Sequence, residues 1–197
     1  GDYALFTDSS TDAIWRINKS TGAITEYVSN DAITAYVGTS GCSTLTGADT
    51  APDGEFAFYE SSSKQILKTT GPGTVTTLVS NLQLSILGTV ACTSIGYAPT
   101  GAMYWTNSST DAIYKRDTNG IVSEVLNPAT ISAVTGNTSI NFKDILVAPD
   151  GYVYFGEGSS SSSILRFLPN NPAASLETYI SNAELLAGPA QLANVYT

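Results

Sequence analysis

The sequence predicts an all-β protein, a four-bladed β-propeller made of four-stranded antiparallel blades. One pattern of turn, strand, polar end residue, polar loop and second strand is clearest in residues 148–167, APDGYVYFGEGSSSSSILRF, and it occurs three more times. The copies lie about fifty residues apart, which is the spacing of four antiparallel strands per propeller blade. The runs are rich in β-branched and aromatic residues, and Gly, Pro and Asn separate them.

Each repeat is expected to hold a short inner strand, a turn and three further strands. The polar residues that end the second strands stand in register: Asp8, Glu60, Asn107 and Glu157. The predicted blades cover residues 1–30 together with 190–197, then 44–80, 92–127 and 142–181. Together they form a single propeller domain over residues 1–197.

The first repeat lacks an inner strand, and residues 190–197, AQLANVYT, supply a matching sequence. We predict that this C-terminal strand completes the N-terminal blade and closes the ring, which leaves no unpaired sheet edge there. Two alternatives stay open. The chain is a fragment of a larger propeller, or its terminal strand completes a blade of a neighbouring chain and builds a polymer.

Four sheets around one axis leave little room at the hub, where the inner strands converge. Small residues such as Gly47 and Gly96 meet that requirement. Segments 30–38, 81–88, 127–136 and 182–188 each begin with Asn and end with Gly, which predicts helical turns with an Asn N-cap and a Gly C-cap. The large apolar residues of the second strands are predicted to fill the space between adjacent sheets: Phe6, Phe58, Trp105 and Phe155.

The composition favours an extracellular protein that does not bind nucleic acid. Only 8 residues are basic and the formal net charge is −9, so nucleic acid and anionic membrane surfaces are poor partners. No apolar run is long enough to span a bilayer. The chain enters a strand directly after Gly1 and Asp2, which suits the processed form of a secreted protein.

The cysteines and the glycosylation sequons also favour secretion. Cys42 and Cys92 are either two buried small apolar residues or one disulfide, and we predict the disulfide. Asn18, Asn107 and Asn137 each begin an Asn-x-Ser/Thr sequence and are predicted glycosylation sites.

No catalytic constellation is visible. The chain has no His, no zinc-ligand spacing and no Gly-rich phosphate loop. The four register-matched polar residues allow two roles: they accept hydrogen bonds from the polar loops and pair with nearby bases, or they converge as oxygen ligands of a hard cation such as calcium. We prefer the structural role and expect no cofactor, because basic residues recur in step with them: Arg16, Lys68, Lys115 and Arg166.

The first repeat resembles the repeat of the virginiamycin B lyase family. Residues 6–8 (FTD), 13–17 (AIWRI) and 22–27 (GAITEY) are similar to that family's WFTE, IxRI and GxxTEF segments. The NHL and gluconolactonase-like propellers share this blade type. The resemblance implies a propeller fold, generally with six or seven blades, a count from which this chain departs. It also implies a catalytic His, which this chain lacks, so no lyase residue is carried over.

The predicted function is that of a secreted, non-catalytic binding or structural module. Its partner is protein or glycan, bound through the long connecting loops, and its copies self-associate into a surface or filament assembly. The alternative is a hydrolase or lyase that depends on a divalent cation. In gluconolactonase-like propellers Glu, Asn and Asp bind such a cation at the mouth of the hub, and this resemblance implies Asp8, Glu60, Asn107 and Glu157 as ligands.

Overall fold

A computed structural model describes residues 2–38, 41–88, 90–158 and 162–187. Strands dominate these residues, with short helices between them. The strands are β1 (Tyr3–Asp8), β2 (Ala13–Asn18), β3 (Ile24–Val28), β4 (Leu45–Thr50), β5 (Phe56–Glu60), β6 (Gln65–Thr69), β7 (Thr76–Val79), β8 (Cys92–Tyr97), β9 (Met103–Asn107), β10 (Ala112–Arg116), β11 (Val122–Leu126), β12 (Phe142–Val147), β13 (Val153–Glu157), β14 (Ser163–Phe167) and β15 (Glu177–Ile180). The helices are α1 (Asn30–Val37), α2 (Asn81–Ser85), α3 (Pro128–Thr135), α4 (Pro172–Ser175) and α5 (Asn182–Ala187).

The strands form four antiparallel sheets in chain order, which confirms the predicted all-β propeller architecture. The sheets are β1–β3, β4–β7, β8–β11 and β12–β15, and we number them blades 1 to 4. Each sheet lies within its predicted blade range. Blade 1 has three strands among the described residues, and the predicted closing strand at 190–197 lies outside them.

The inner strands of neighbouring blades run against each other at the hub, where two glycines allow close approach. A Cβ atom on Gly47 would lie 2.9 Å from Cα of Ser94, and one on Gly96 would lie 2.9 Å from the carbonyl oxygen of Ile145. The inner strands are therefore in backbone contact, and the predicted demand for small residues holds at these two positions.

Side chains of one inner strand also hydrogen-bond to the backbone of the next. Thr46 Oγ1 donates to the carbonyl oxygen of Cys92 at 2.8 Å, and the Asp49 carboxylate accepts from the amide of Tyr97 at 2.8 Å. These bonds connect blades 2 and 3 at the hub, so the register between the two blades is fixed by specific contacts as well as by packing.

Three apolar clusters fill the spaces between successive blades. We call the side of a blade that faces the next blade in the chain its front face, and the opposite side its rear face. Phe58, Trp105 and Phe155 point from rear faces into these clusters and are buried, as predicted. Phe6 is 39% exposed, so its prediction is wrong. Its side chain lies on the rear face of blade 1, opposite Leu5, which packs towards blade 2.

Helices follow the outermost strands of the blades, as the Asn-to-Gly segments predict, but their N-caps differ from the prediction. The side chains of Ser29, Ser80 and Asn127 cap α1, α2 and α3, so the predicted Asn N-cap is correct only for α3. In α1 and α2 the residue before the Asn has the extended backbone of a cap. Gly38 and Gly136 adopt the left-handed C-cap conformation, as predicted. No helix in the described part of the chain is long and apolar enough to cross a membrane.

Candidate functional site

Glu60 shows what the register-matched polar residues do in this fold. Its side chain is completely buried at the end of β5. Oε1 accepts hydrogen bonds from the amides of Ser43 and Ser62 at 3.2 and 2.8 Å, and Oε2 accepts from the amide of Ser63 at 2.7 Å. Burial alone would raise the pKa of Glu60, but the hydrogen bonds from these serines outweigh it and hold the pKa below its usual value.

Asn107 and Glu157 occupy the same position in blades 3 and 4. Oδ1 of Asn107 accepts from the amides of Ala91 and Ser109, each at 3.0 Å. Oε2 of Glu157 accepts from Nδ2 of Asn137 at 2.9 Å. In both blades the buried side chain ties the segment before the inner strand to the end of the second strand.

Asp8 differs from the other three because its contacts are local and exposed. Its carboxylate accepts from the amide of Ser10 at 2.9 Å and from Oγ1 of Thr11 at 2.8 Å, and these bonds lower the pKa of Asp8. All four register-matched residues therefore accept hydrogen bonds from their own blade or from the segment that leads into it. Within residues 2–38, 41–88, 90–158 and 162–187, no group of three or more Asp, Glu, Cys or His side chains is placed to hold a metal ion. Their role as metal ligands stays a prediction.

In the part of the chain that the structure describes, the four basic residues at matching positions in the repeats form no ion pairs with the four register-matched polar residues, contrary to the expectation from the sequence. These basic residues are Arg16, Lys68, Lys115 and Arg166. Lys68 forms an ion pair with Glu55, and Arg166 forms one with Glu177 at 2.7 Å. The strand register explains the difference, because each base lies three residue pairs away from the end of its neighbouring second strand.

Arg166 is held in an aromatic sandwich on the front face of blade 4. Its guanidinium carbon lies 4.4 Å from the ring centre of Tyr152 and 4.6 Å from that of Tyr179. Nε donates to Glu177 at 2.8 Å, and Nη1 donates to the hydroxyl of Tyr154 at 3.4 Å. The hydrogen bonds to Tyr154 and Glu177 raise the pKa of Arg166 above its usual value.

Blade 1 contains the same kind of sandwich around Arg16. The guanidinium carbon lies 4.9 Å from the ring centre of Tyr3 and 5.9 Å from that of Tyr27. Nε donates to Oγ1 of Thr25 at 2.9 Å. The sandwich borders a groove of about 640 Å³ between blades 1 and 2. This site is not among those predicted from the sequence, although tyrosines occur at matching positions around the two arginines and are a visible signal.

The residues that the structure describes leave two blade faces partly uncovered. Phe6 is exposed on the rear face of blade 1, and Leu146 is 50% exposed on the inner strand of blade 4. Ile164 on the front face of blade 4 is only half-buried. The residues that match Ile164 in the other blades are completely buried: Ile14, Ile66 and Ile113.

The predicted disulfide is not present in the structure. Cys42 and Cys92 are both free and buried. Cys42 belongs to the apolar cluster between blades 1 and 2, whereas Cys92 belongs to the cluster between blades 2 and 3. The alternative interpretation, two buried small apolar residues, describes both positions.

The three glycosylation candidates differ in their surroundings. Asn107 is only 1% exposed and accepts two backbone hydrogen bonds, so the fold has no room for a glycan there and this prediction is wrong. Nδ2 of Asn137 donates to buried Glu157. Asn18 is the last residue of β2, and its Oδ1 accepts from the amides of Ser20 and Thr21 in the turn that follows. Glycosylation at Asn18 and Asn137 stays a prediction.

Comparison with solved structures gives the blade type. A chain in a nidogen–laminin complex matches with a TM-score of 0.67 and 15% identity, over 92% of this chain and 62% of that one. A catalytically inactive virginiamycin B lyase from Staphylococcus aureus with quinupristin matches with a TM-score of 0.63 and 18% identity, over 90% and 52%. A putative gluconolactonase matches with a TM-score of 0.63 and 10% identity, over 91% and 59%.

The protein is a β-propeller whose blades are of the type found in virginiamycin B lyases and gluconolactonase-like proteins. This confirms the resemblance inferred from the repeats. The chain spans between half and two thirds of the length of these structural neighbours. No protein-family model matches the sequence, and no curated protein sequence matches it either. At these identities the likeness shows the fold alone.

Proposed function

We propose that the protein is an extracellular, non-catalytic binding or structural module with protein or glycan partners. We further propose that its copies associate with one another as subunits of a surface or filament assembly. The acidic, Ser/Thr-rich composition supports an extracellular location. The likeness to a chain in a nidogen–laminin complex supports protein binding as a use of this fold.

The proposal of self-association rests on the partly uncovered rear face of blade 1 and front face of blade 4. Inside the chain, the front face of each of the first three blades packs against the rear face of the next one through an apolar cluster. The two partly uncovered faces are one rear face and one front face, so they are complementary halves of an interface that the chain forms three times. A second copy is therefore the occupant whose shape and chemistry fit them.

Contact between a rear face and a front face is head-to-tail, and such contacts produce open chains unless the rotation closes a ring. Phe6 and the half-buried Trp15 contribute apolar surface to the rear face. Leu146, Tyr154 and Ile164 contribute apolar surface to the front face. Burying them removes apolar surface from water, which is the main driving force of such association.

Light scattering at increasing protein concentration tests this proposal. The mass is expected to rise above that of the 20.6 kDa chain. Phe6→Glu and Ile164→Glu each place a charge in one face and should each remain monomeric. Mixed together they should form dimers and nothing larger, because one variant keeps its front face and the other its rear face.

Ile121→Glu is the matched control, because Ile121 is an exposed isoleucine of blade 3 that lies outside both faces. This variant should associate like the wild type. A 20.6 kDa species at every concentration would overturn the proposal, and it is the result expected if residues 190–197 close the ring within one chain.

A second candidate is a hydrolase or lyase dependent on a divalent cation. The observation that favours it is the occurrence of one oxygen-bearing side chain per blade at the same strand end, at Asp8, Glu60, Asn107 and Glu157. This candidate requires that calcium or another divalent cation stabilise the folded protein, whereas the first proposal does not, so a calcium titration separates the two.

A further inference from the structure

The groove between blades 1 and 2 combines aromatic rings with positive charge on an otherwise acidic protein. Tyr3, Arg16, Lys19 and Tyr27 line it from blade 1, and Thr50 and Thr70 line it from blade 2. Two of the 8 basic residues of the chain therefore border one groove. Asp2 also borders it. At about 640 Å³, the groove has the size of a small-ligand site.

Arg16 is held in position but lacks a carboxylate partner among the described residues. The rings of Tyr3 and Tyr27 flank its guanidinium, and Thr25 accepts the hydrogen bond from Nε. The ion pairs in residues 2–38, 41–88, 90–158 and 162–187 are Lys68–Glu55 and Arg166–Glu177, and Arg16 takes part in neither. A guanidinium that has no carboxylate partner and is fixed between aromatic rings is prepared to bind an anion, because little side-chain freedom is lost.

The equivalent arginine of blade 4, Arg166, has the carboxylate partner that Arg16 lacks. Arg166 lies in an equivalent sandwich, and the Glu177 carboxylate accepts from its Nε at 2.8 Å and its Nη2 at 2.7 Å. The strand register pairs Arg166 with Glu177 and Arg16 with Thr25. Blade 1 therefore has a short hydroxyl side chain where blade 4 has the carboxylate. An external carboxylate at Arg16 would replace the one that the fourth blade carries itself.

We propose that this groove binds an acidic sugar, with the sugar carboxylate on the Nη groups of Arg16 and the sugar ring against Tyr3. The ring of Tyr3 is 48% exposed and offers a flat apolar face to the C–H face of a pyranose. Lys19 in the exposed turn after β2 supplies a second positive charge for the next acidic residue of an oligosaccharide. Thr50 and Thr70, whose side chains carry hydroxyl groups, line the groove from blade 2. The proposal names a glycan ligand for the binding role above, but it does not depend on self-association.

Calorimetric titration with an oligogalacturonate tests the proposal, with a neutral galactose oligomer of the same length as comparison. The acidic oligomer should bind and the neutral one should not. Arg16→Gln should weaken binding by about tenfold or more, the size expected for loss of a charged hydrogen-bonding partner. Lys115→Gln is the matched control, since Lys115 has the same register position in blade 3 and should leave binding unchanged.

Thr25→Glu is the sharper variant because it gives blade 1 the carboxylate of blade 4. It should abolish binding of the acidic oligomer while the thermal unfolding temperature is unchanged or higher, so loss of binding is not loss of fold. Absence of binding by the wild type, or undiminished binding by Arg16→Gln and Thr25→Glu, would overturn the proposal. Equal binding of polyglutamate would also overturn it, because the groove would then recognise carboxylates without the sugar ring. Mass by light scattering is a separate readout, so failure here is distinguishable from failure of self-association.

Discussion

Gly47 of blade 2 and Ser94 of blade 3 are in backbone contact at the hub. A Cβ atom on Gly47 would lie 2.9 Å from Cα of Ser94, closer than two non-bonded carbon atoms approach. The same relationship recurs one blade further on, where a Cβ atom on Gly96 would lie 2.9 Å from the carbonyl oxygen of Ile145. Any side chain larger than hydrogen would separate the inner strands of adjacent blades.

We expect Gly96→Ala to lower the free energy of unfolding by about 1–3 kcal/mol, the usual cost of overpacking a close contact. Gly96 isolates the steric effect because, unlike Gly47 with its φ of +48°, it does not have a positive φ. Urea unfolding followed by tryptophan fluorescence measures the change. Gly41→Ala is the control, since nothing lies within 4 Å of its added Cβ atom. Equal losses in both variants would contradict backbone contact at the hub.

The sequence predicts the fold well because every blade repeats the same physical pattern. Turn residues, alternating β-formers and a polar end residue mark each copy, so the sheets and their ranges follow from the repeat alone. The exposure of Phe6 does not follow from it. Phe6 and Phe58 have the same place in their repeats, and only the position of each blade in the array decides whether another blade covers the ring.

The hydrogen-bond partners of the two sandwiched arginines are harder to predict from the sequence, because the strand register decides which residues stand opposite them. Arg16 and Arg166 are recognisable as equivalent bases in the sequence. Glu177 of the outer strand stands opposite Arg166, which therefore has a carboxylate partner. Thr25 stands opposite Arg16, which therefore has a hydroxyl partner. A bulge in each of these strand pairs shifts the register by a residue, and sequence spacing does not reveal the shift.

Glu60→Gln is expected to lower the free energy of unfolding by about 1–3 kcal/mol at neutral pH, since buried amides lose a charged acceptor. The pKa of Glu60 is lowered in the folded state, so its contribution is present above its ordinary value of 4.5 and is lost as the pH falls through the folded-state value. The difference between wild type and variant should therefore shrink in acid. Unfolding curves from pH 7 down to pH 3 measure it.

Asp8→Asn is the control for Glu60→Gln, because Asp8 ends the second strand of its blade in the same way but is only partly buried and its hydrogen bonds are exposed. Its removal should change stability less than the removal of Glu60 does, since water replaces its hydrogen bonds. A larger effect at Asp8 would contradict the assignment of Glu60 as the buried anchor of its loops.

Calcium is expected to leave the thermal unfolding temperature unchanged. The oxygens of Glu60, Asn107 and Glu157 already accept hydrogen bonds from nearby loops, and a cation would have to displace those donors. A ligand that binds only the folded state raises the unfolding temperature with its concentration, so millimolar calcium is a sensitive test. A rise that disappears in the Glu60→Gln, Glu157→Gln double variant would establish the metal site instead, which the hydrolase or lyase candidate requires.

Both thiols are expected to be unreactive in the folded protein and accessible after unfolding. Burial, reinforced by the charges of Glu60 and Asp12, raises the pKa of Cys42 to about 12, and burial raises the pKa of Cys92 as well. Since the thiolate is the reactive form, an aromatic disulfide reagent at pH 8 should react very slowly with the native protein. In guanidinium without reductant it should titrate two thiols per chain.

Zero thiols under those conditions would indicate the disulfide that the sequence predicts. Fast reaction of the native protein would show that the apolar clusters between the blades open readily. Cys42→Ala should remove one of the two titratable thiols and leave the other as slow as before, because each lies in a separate cluster.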